Sequence, residues 1–339
     1  MTKPGVANKI AVIGATGNVG RKAVEQLLNK LHFPPEQIEL YASPLSEGKL
    51  VIMAGREFTV HSAEECHFKH VQICLLATDN EISARYIPQA LENNVFVIDS
   101  SSLHRLDADV PLIVAPVNRE LVSVDKHHLY AIANCVASPI SVVLASLHRT
   151  FPLRRVNIVT YQSASGAGKG PMDELKAETI NLLEIKPYQR NHFPRQIAFN
   201  VIPMIGELRE DGYTSEEFKI MMEINKIVGG DFVVTASCVR VPVMIGHSMS
   251  LAIEFQKQYD LEQVKNLLAN APGISFDAES YTTPVEAVDT DNVHTGRIHR
   301  DISVPFGLHL WLCSDNLRRG AATDAVEVIE EILRQLQGK

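Results

Sequence analysis

The sequence predicts a two-domain α/β protein, with a parallel-sheet domain and a second α+β domain whose sheet is largely antiparallel. Up to about residue 135, short apolar runs alternate with stretches of helical periodicity, as in a parallel sheet covered by helices on both faces. Later strand-like runs are longer, alternate more regularly between apolar and polar residues, and are joined by longer segments. We therefore expect one domain from residues 1–135 with 315–339, and another from residues 136–314.

The predicted strands of the first domain are short and almost wholly apolar, as expected for strands buried on both faces. They cover residues 9–13, 38–42, 71–77, 95–98 and 129–133. Between the first two, residues 20–30 place four apolar residues on one helical face: Ala23, Val24, Leu27 and Leu28.

Strand-like runs of the second part cover residues 156–161, 232–241, 249–255 and 308–313. The final stretch is again helical, since its apolar residues from Ala322 to Leu336 share one face. This last helix could return to the first domain.

The composition is that of an ordinary globular protein. With 339 residues, of which 45% are hydrophobic and 21% charged, the chain can bury a core without disulfides or a structural metal, and no metal site is predicted. The net charge of −8 argues against a nucleic-acid partner. No apolar run reaches the roughly 18 residues that span a membrane. The first residues lack the apolar core of a signal peptide and the five cysteines are scattered, so we expect a cytoplasmic protein.

The turn after the first predicted strand carries three glycines at a spacing of three: Gly14, Gly17 and Gly20. Glycine lets the backbone turn tightly and approach a pyrophosphate, and the N-terminus of the next helix attracts its negative charge. This position predicts a Rossmann-type dinucleotide site. We expect the cofactor to contact five residues of this turn: Gly14, Thr16, Gly17, Asn18 and Val19. A tight strand-to-helix turn that binds nothing is the alternative.

The end of the second predicted strand should distinguish NAD from NADP, because an acidic residue there binds the ribose 2′-hydroxyl. No acid occupies that end; Glu39 lies within the strand and is expected to be solvated or to face a helix. Ser43, Ser46 and Lys49 follow, and they could hold a 2′-phosphate, although serines are also ordinary turn residues.

Cys135 ends an apolar run, just before a predicted helix. Ser138 is expected to be the N-cap and Pro139 the first helical residue, followed by an apolar face of Ile140, Val143, Leu144 and Leu147. A helix N-terminus favours thiolate over thiol, and a thiolate is nucleophilic at neutral pH. We therefore expect Cys135 to be a nucleophile; a small buried core residue is the alternative, and we expect it for most of the other cysteines.

Further motifs give the chain a family resemblance. They read SSLHR at 101–105, YQSASGAG at 161–168, CVRVPV at 238–243 followed by GHS at 246–248, and DNLRRGAA at 315–322. With the glycine turn and Cys135, they resemble the aspartate-semialdehyde dehydrogenases nearly from end to end. The resemblance implies a homodimeric enzyme with a dinucleotide-binding domain and a catalytic and dimerisation domain.

The reaction implied is NADPH-dependent reductive dephosphorylation of 4-phospho-L-aspartate to L-aspartate 4-semialdehyde, in lysine, threonine and methionine synthesis. Cys135 would be the nucleophile, His247 the acid/base and Gln162 the residue that orients the acyl group. The substrate contacts implied are Arg240 for the α-carboxylate, Glu216 for the amine, Arg105 and Lys219 for phosphate, and Asn134. Further cofactor contacts implied are Ser165, Gly166 and Asn316.

The chemistry agrees with these roles. Converting an acyl phosphate to an aldehyde needs a nucleophile to carry the acyl group, and a thiolate suits. A nearby histidine can exchange protons, and guanidinium groups match carboxylate and phosphate. Bland alternatives remain: Glu216 and Lys219, on a helix opened by a capping box at Thr214 and Glu217, could be a surface pair. An N-acetyl-γ-glutamyl-phosphate reductase and a catalytically silent paralogue are the rival functions.

The chain departs from the family pattern at several positions. Val136 and Ala137 follow the cysteine where the family has hydroxyl residues, Ala133 replaces a proline, and Pro116 stands where the family often has Glu. Leu45 occupies the place of the Arg that holds the NADP 2′-phosphate, with Glu47 beside it. We therefore expect NADP to be used, with NAD as a measurable second cofactor and Lys49 as the phosphate-binding cation.

Overall fold

The structure, a computed structural model, describes residues 9–338. The chain forms two compact units. The first comprises the described residues through Ala133 together with those from Ala321 onward, and the second comprises Asn134–Gly320. The sheet of the first unit is mostly parallel and that of the second mostly antiparallel, so the predicted α/β class with two different sheets is confirmed.

Strands and helices alternate along the described chain. The strands are β1 Lys9–Ile13, β2 Ile38–Ala42, β3 Leu50–Met53, β4 Arg56–Ser62, β5 Val71–Leu76, β6 Phe96–Asp99, β7 Leu112–Ile113, β8 Leu129–Ile132, β9 Leu153–Gln162, β10 Val233–Arg240, β11 His247–Phe255, β12 Ile274–Phe276, β13 Val293–Asp301 and β14 Gly307–Ser314. The helices are α1 Asn18–Asn29, α2 Asn80–Glu92, α3 Ala115–Asn118, α4 Ala137–His148, α5 Lys169–Leu183, α6 Ser215–Val228, α7 Leu261–Ala269, α8 Pro284–Ala287 and α9 Thr323–Gln337. Each predicted strand is present, with ends that differ by three residues at most.

The sheet of the first unit has the order β3-β4-β2-β1-β5-β6-β8-β7. Its neighbouring strands pair in parallel, except for the hairpin of β3 and β4. One face carries a core formed with α1 and α9, and the other carries a core formed with α2. The carboxyl ends of β1, β2 and β5 therefore meet at one edge of the sheet, where α1 begins.

The sheet of the second unit has the order β10-β9-β11-β14-β13-β12. Strand β9 pairs in parallel with β10, which sets Gln162 beside Arg240. Strand β11 runs antiparallel to β9 and β14, which sets His247 opposite Ser314. Four strands thus bring polar residues to one end of this sheet. No helix among residues 9–338 is long and apolar enough to cross a membrane.

Helix α4 begins earlier than predicted. Ser138 is not its N-cap: the helix starts at Ala137, after Val136. The reason is Asn134, whose Oδ1 accepts hydrogen bonds from the backbone N–H of Val136 at 2.7 Å and of Ala137 at 3.3 Å. Pro139 then lies in the first turn, where a missing N–H costs nothing. Cys135 is therefore closer to the helix N-terminus than expected.

Two other local predictions have different outcomes. The capping box of α6 is confirmed, because Thr214 Oγ1 accepts from the N–H of Glu217 while Glu217 Oε2 accepts from the N–H of Thr214. Glu39 is paired and not simply solvated: its carboxylate accepts from Lys9 Nζ at 2.6 Å and from the Tyr41 hydroxyl at 2.9 Å. It lies on the sheet face of Tyr41, which α2 covers, as the helix-facing alternative expects. Burial alone would raise the pKa of Glu39, but these hydrogen bonds outweigh it and lower the pKa.

Candidate active site

Cys135 and His247 form the centre of a polar cluster in the second unit. Cys135 Sγ lies 3.3 Å from His247 Nε2. The cysteine is half-buried at the start of α4, and the histidine, the first residue of β11, is fully buried. The remaining cysteines are buried, and burial raises their pKa: to about 11 for Cys66, to about 12 for Cys238 and Cys313, and well above the usual value for Cys74. Cys135 is thus the thiol placed for reaction.

The other ring nitrogen of His247 faces a hydrogen-bond donor. Its Nδ1 lies 3.1 Å from the backbone nitrogen of Ser163 and 3.0 Å from Ser163 Oγ. Because a backbone N–H can only donate, Nδ1 carries the lone pair, and the proton of the neutral ring is on Nε2, directed at Cys135 Sγ. Burial, together with the charge of Arg240, lowers the pKa of His247 to about 3. The ring is therefore a neutral donor to the sulfur near pH 7.

Asn316 fixes the segments around this histidine. Its Oδ1 accepts from Ser163 Oγ at 3.2 Å, from Ser165 Oγ at 2.9 Å and from the backbone N–H of Gly246 at 2.9 Å. Ser165 and Asn316 were expected to contact the cofactor, and here they join three segments distant in sequence. Ser163, for which the sequence suggested no role, contacts the histidine directly.

Arg240 brings a buried positive charge to the same cluster. The side chain is 7% exposed, and its Nη1 donates to the backbone carbonyl of Ser163 at 2.7 Å. Burial lowers the pKa of this guanidinium, while the nearby Cys135 and Glu216 act in the opposite direction. With five N–H donors, the group can also bind a planar carboxylate.

Gly166 lies against both His247 and Arg240. A Cβ at this position would come within 2.8 Å of His247 Nε2 and 3.2 Å of Arg240 Nη1. Only glycine therefore fits without moving the site. Gln162, beside Arg240 in the sheet, is 2% exposed, and its amide donates to Thr160 Oγ1 at 3.4 Å.

Helix α6 holds the segment that carries the cysteine. Asn134 Nδ2 donates to Glu216 Oε1 at 3.0 Å, and the backbone N–H of Asn134 donates to Glu223 Oε2 at 2.6 Å. Lys219, one turn beyond Glu216, is half-buried on the same helix. No motif in the sequence marks Glu223, although its spacing of seven residues from Glu216 predicts the same helical face. Glu216 therefore contacts the segment that carries the cysteine and is not merely one member of a surface pair with Lys219.

Gly320 packs on the backbone of the cysteine. Its φ is +86°, and a Cβ there would lie 2.4 Å from Cys135 Cα and 3.2 Å from the carbonyl oxygen of Asn134. This glycine belongs to the motif at 315–322, but the sequence alone did not connect it with the thiol.

Arg105 lies in the first unit. Its Nη2 donates to the backbone carbonyl of Ser100 at 2.8 Å, and the side chain is 9% exposed. The phosphate role inferred for it stays a prediction.

The glycine turn of the first unit has the geometry of an anion site. Gly14 has a φ of +84°, and a Cβ there would lie 2.3 Å from the carbonyl oxygen of Ala77, so the turn requires glycine. Gly17 is the N-cap of α1, followed by Asn18 and Val19. Since a glycine cap has no side chain to accept from the first turn, an anion can take that place. A nucleotide pyrophosphate therefore fits this turn.

A cleft of about 480 Å³ opens beside the turn. Its walls include Thr16 and Gly17 at one end and Ser43 at the end of β2. Ser46 and Lys49 are not among its lining residues, and Lys49 is exposed in the loop beyond. The volume suits part of a dinucleotide.

Known proteins of one family resemble this chain along nearly its whole length. Residues 9–124 match the family model described as "Semialdehyde dehydrogenase, NAD binding domain", and residues 144–319 match "Semialdehyde dehydrogenase, dimerisation domain". Aspartate-semialdehyde dehydrogenase of Rickettsia conorii is 42% identical, covering 96% of this chain and 97% of its own length. Aspartate-semialdehyde dehydrogenase 2 of Vibrio cholerae is 39% identical over 96% of this chain and 97% of its own length.

Solved structures give the same picture. The crystal structure of aspartate semialdehyde dehydrogenase II from Vibrio cholerae complexed with ASA superposes with a TM-score of 0.93 at 38% identity, covering 96% of this chain and 98% of that one. The aspartate semialdehyde dehydrogenase of Candida albicans, crystallised with NADP, shares the fold, with a TM-score of 0.72 at 22% identity over 97% of this chain and 99% of that one.

Proposed function

The chain belongs to the aspartate-semialdehyde dehydrogenase family, and from this membership and the geometry of its site we propose that it interconverts 4-phospho-L-aspartate and L-aspartate 4-semialdehyde through a thioester on Cys135. One observation carries the proposal: a half-buried thiol at a helix N-terminus lies 3.3 Å from a buried histidine. We further propose that the enzyme serves lysine, threonine and methionine synthesis in the cytoplasm.

Acyl transfer comes first. The Cys135 thiolate attacks the acyl carbon; the C–S bond forms, the bond from that carbon to the bridging phosphate oxygen breaks, and phosphate leaves with the electron pair. The thiolate needs stabilisation until then. The Nε2–H of His247, the N-terminus of α4 and the Arg240 charge supply it.

Reduction of the thioester completes the forward reaction. A reduced nicotinamide cofactor, when bound at the glycine turn, would supply the hydride that the acyl carbon needs. The tetrahedral oxyanion attached to Cys135 then collapses: its oxygen re-forms a carbonyl, the C–S bond breaks, and the thiolate is regenerated. His247 Nε2–H can donate a hydrogen bond to the sulfur as its charge returns. During both steps Gln162, which is buried at the end of β9, would orient the acyl group.

The substrate contacts follow from charge. Arg240 would bind the α-carboxylate, since a buried guanidinium beside the thiol needs an anion. Glu216 would bind the amine of the substrate. Asn134 would position the Glu216 carboxylate through the hydrogen bond between them. Lys219 on the same helix, and Arg105, would bind the phosphate.

For the cofactor we propose NADP, with NAD as a second, usable cofactor. The residues of the glycine turn that would hold its pyrophosphate are Gly14, Thr16, Gly17, Asn18 and Val19, with Ser43 at the ribose end and Ser165, Gly166 and Asn316 toward the nicotinamide. We also propose a homodimer, in keeping with the description of the family model that matches residues 144–319. Light scattering on the purified full chain tests the dimer, and a monomer at micromolar concentration contradicts it.

The deciding assay mixes L-aspartate 4-semialdehyde, phosphate and NADP or NAD and follows the absorbance of the reduced cofactor. We expect reduction that requires phosphate and disappears after stoichiometric alkylation of Cys135. The homologous N-acetyl-glutamate semialdehyde serves as the control for the one-carbon-longer rival. No turnover of the aspartate compound, or faster turnover of the longer one, refutes the proposal. Binding of cofactor without turnover of either aldehyde would favour a silent paralogue.

A further inference from the structure

The cleft of the first unit is nearly uncharged. Among the described residues that line it, Glu64 and Arg85 alone carry charge. Glu64 lies in the short 3-10 turn after β4, and Arg85 lies on α2. The two side chains form an ion pair in the lining of the cleft, with Arg85 Nη1 at 3.6 Å from Glu64 Oε1.

The pair lies toward the ribose end of the cleft. In a dinucleotide fold the pyrophosphate is held at the glycine turn, and the 2′ position of the ribose is read near the end of the second strand. Strand β4 is the neighbour of β2, and Ala42 pairs with Ser62. Glu64 therefore follows the same sheet edge as Ser43, one strand further out. Both Glu64 and Ser43 line the cleft.

The pair can also separate. Both side chains are more than half exposed, at 53% for Arg85 and 57% for Glu64. An exposed ion pair contributes little to stability, so an incoming phosphate or hydroxyl can compete for either partner. Arg85 keeps a second anchor, since its guanidinium carbon lies 5.3 Å from the centre of the Tyr86 ring.

We propose that Glu64 and Arg85 read the 2′ substituent of the adenosine ribose: Arg85 binds the 2′-phosphate of NADP, and Glu64 accepts a hydrogen bond from the 2′-hydroxyl of NAD. The proposal rests on the proposed use of a dinucleotide cofactor. A guanidinium suits a phosphate bidentately, and a carboxylate suits a ribose hydroxyl. Glu64 repels the 2′-phosphate that Arg85 attracts, whereas the 2′-hydroxyl meets no such repulsion. The two cofactors therefore differ little in affinity, and both bind. The cation that selects NADP is thus Arg85, not Lys49.

The test measures binding and needs no turnover. Adenosine 2′,5′-bisphosphate and ADP are titrated calorimetrically into the full-length protein; the first carries the 2′-phosphate and the second the 2′-hydroxyl. Arg85→Ala is expected to weaken the bisphosphate roughly tenfold or more and to change ADP by less than about threefold. Arg85→Lys, which keeps a point charge, should restore part of the loss. Glu64→Gln should tighten the bisphosphate and weaken ADP.

Lys49→Ala is the matched control, because it removes a cation from the loop after β2 that does not line the cleft. It should leave both nucleotides unchanged within about twofold. If Lys49→Ala weakens the bisphosphate and Arg85→Ala does not, the proposal is wrong. Equal losses of both nucleotides in Arg85→Ala would mean that Arg85 stacks on the adenine, which also overturns it. If the unaltered protein binds neither nucleotide, the proposed cofactor use fails instead.

Discussion

A methyl group at residue 320 should inactivate the enzyme without touching a reacting group. Gly320 has a φ of +86°, and a Cβ there would lie 2.4 Å from Cys135 Cα and 3.0 Å from the Cys135 carbonyl carbon. Those atoms are backbone, so they cannot yield by rotating a side chain. Gly320→Ala must therefore move the segment that carries Cys135, or the segment that carries residue 320.

The size of the effect follows from two contributions. A positive φ costs an alanine about 1–2 kcal/mol of stability. Carbon atoms pack at about 3.5–4.0 Å, so relief of the 2.4 Å contact displaces one backbone by about 1 Å. A displacement of that size at a reacting group can lower the rate about 100-fold. This corresponds to about 2.7 kcal/mol of transition-state stabilisation.

Gly212 offers a matched control, since its φ is +85° and an added Cβ meets no atom within 4 Å. Gly212→Ala should lose about 1–2 kcal/mol of stability and keep its activity. The assay compares kcat with semialdehyde, phosphate and NADP, with thermal unfolding measured in parallel to ensure that both variants are folded. If folded Gly320→Ala retains more than about a third of the wild-type kcat, less than about 0.7 kcal/mol of effect, the packing of Gly320 on Cys135 does not control activity.

The other predictions concern the groups proposed to take part in the reaction. Cys135→Ser should stay folded and lose several orders of magnitude in rate, because a hydroxyl is a far poorer nucleophile; more than about a tenth of the activity remaining would exclude a thioester. His247→Asn should lower kcat by about 10²–10³-fold with a small change in KM, because the hydrogen bond from Nε2 to the sulfur is lost. Arg240→Lys should mainly raise KM for the semialdehyde, because a bidentate grip on carboxylate is lost; one kinetic pattern for both variants would contradict this division of roles. The pKa of His247 is lowered to about 3, so the unfolded chain binds a proton between about pH 6.5 and 3 that the folded chain does not. The free energy of unfolding should therefore fall as the pH falls through this window, by up to about 1.4 kcal/mol per pH unit from this group. Denaturant titration at several pH values should show that the unfolding free energy of His247→Asn changes less steeply with pH than that of the parent. Equal slopes would mean that the histidine is not buried and neutral.

The elements that sequence predicts best are those decided by local pattern. Strands β1 and β2 have the predicted bounds because each is mostly apolar and, apart from Lys9 in β1 and Glu39 in β2, buried. The α6 capping box needs only Thr214 and Glu217, three residues apart. The hairpin of β3 and β4 was missed, since its exposed apolar residues, Leu50 and Ile52, give no clean burial pattern.

The site depends on contacts that local pattern does not encode. Asn134 replaces Ser138 as the residue that caps α4, because its side-chain oxygen reaches two N–H groups first. Asn316 Oδ1 joins Ser163 and Gly246, which lie far from it in sequence. Such partners are set by strand register in the second sheet, and a single sequence does not reveal register between distant strands.

The direction of one hydrogen bond changes the role proposed for His247 beside Cys135. From sequence, His247 is a base that takes the thiol proton; in the structure, the N–H of Ser163 occupies Nδ1, so the neutral ring donates from Nε2 to Cys135. An imidazolium would place two N–H groups face to face, in a site already carrying Arg240. The thiolate therefore depends on Arg240 and the helix N-terminus for its charge balance. In the proposed mechanism, a substrate carboxylate bound to Arg240 withdraws part of that stabilisation, so the sulfur becomes more nucleophilic when the substrate is in place.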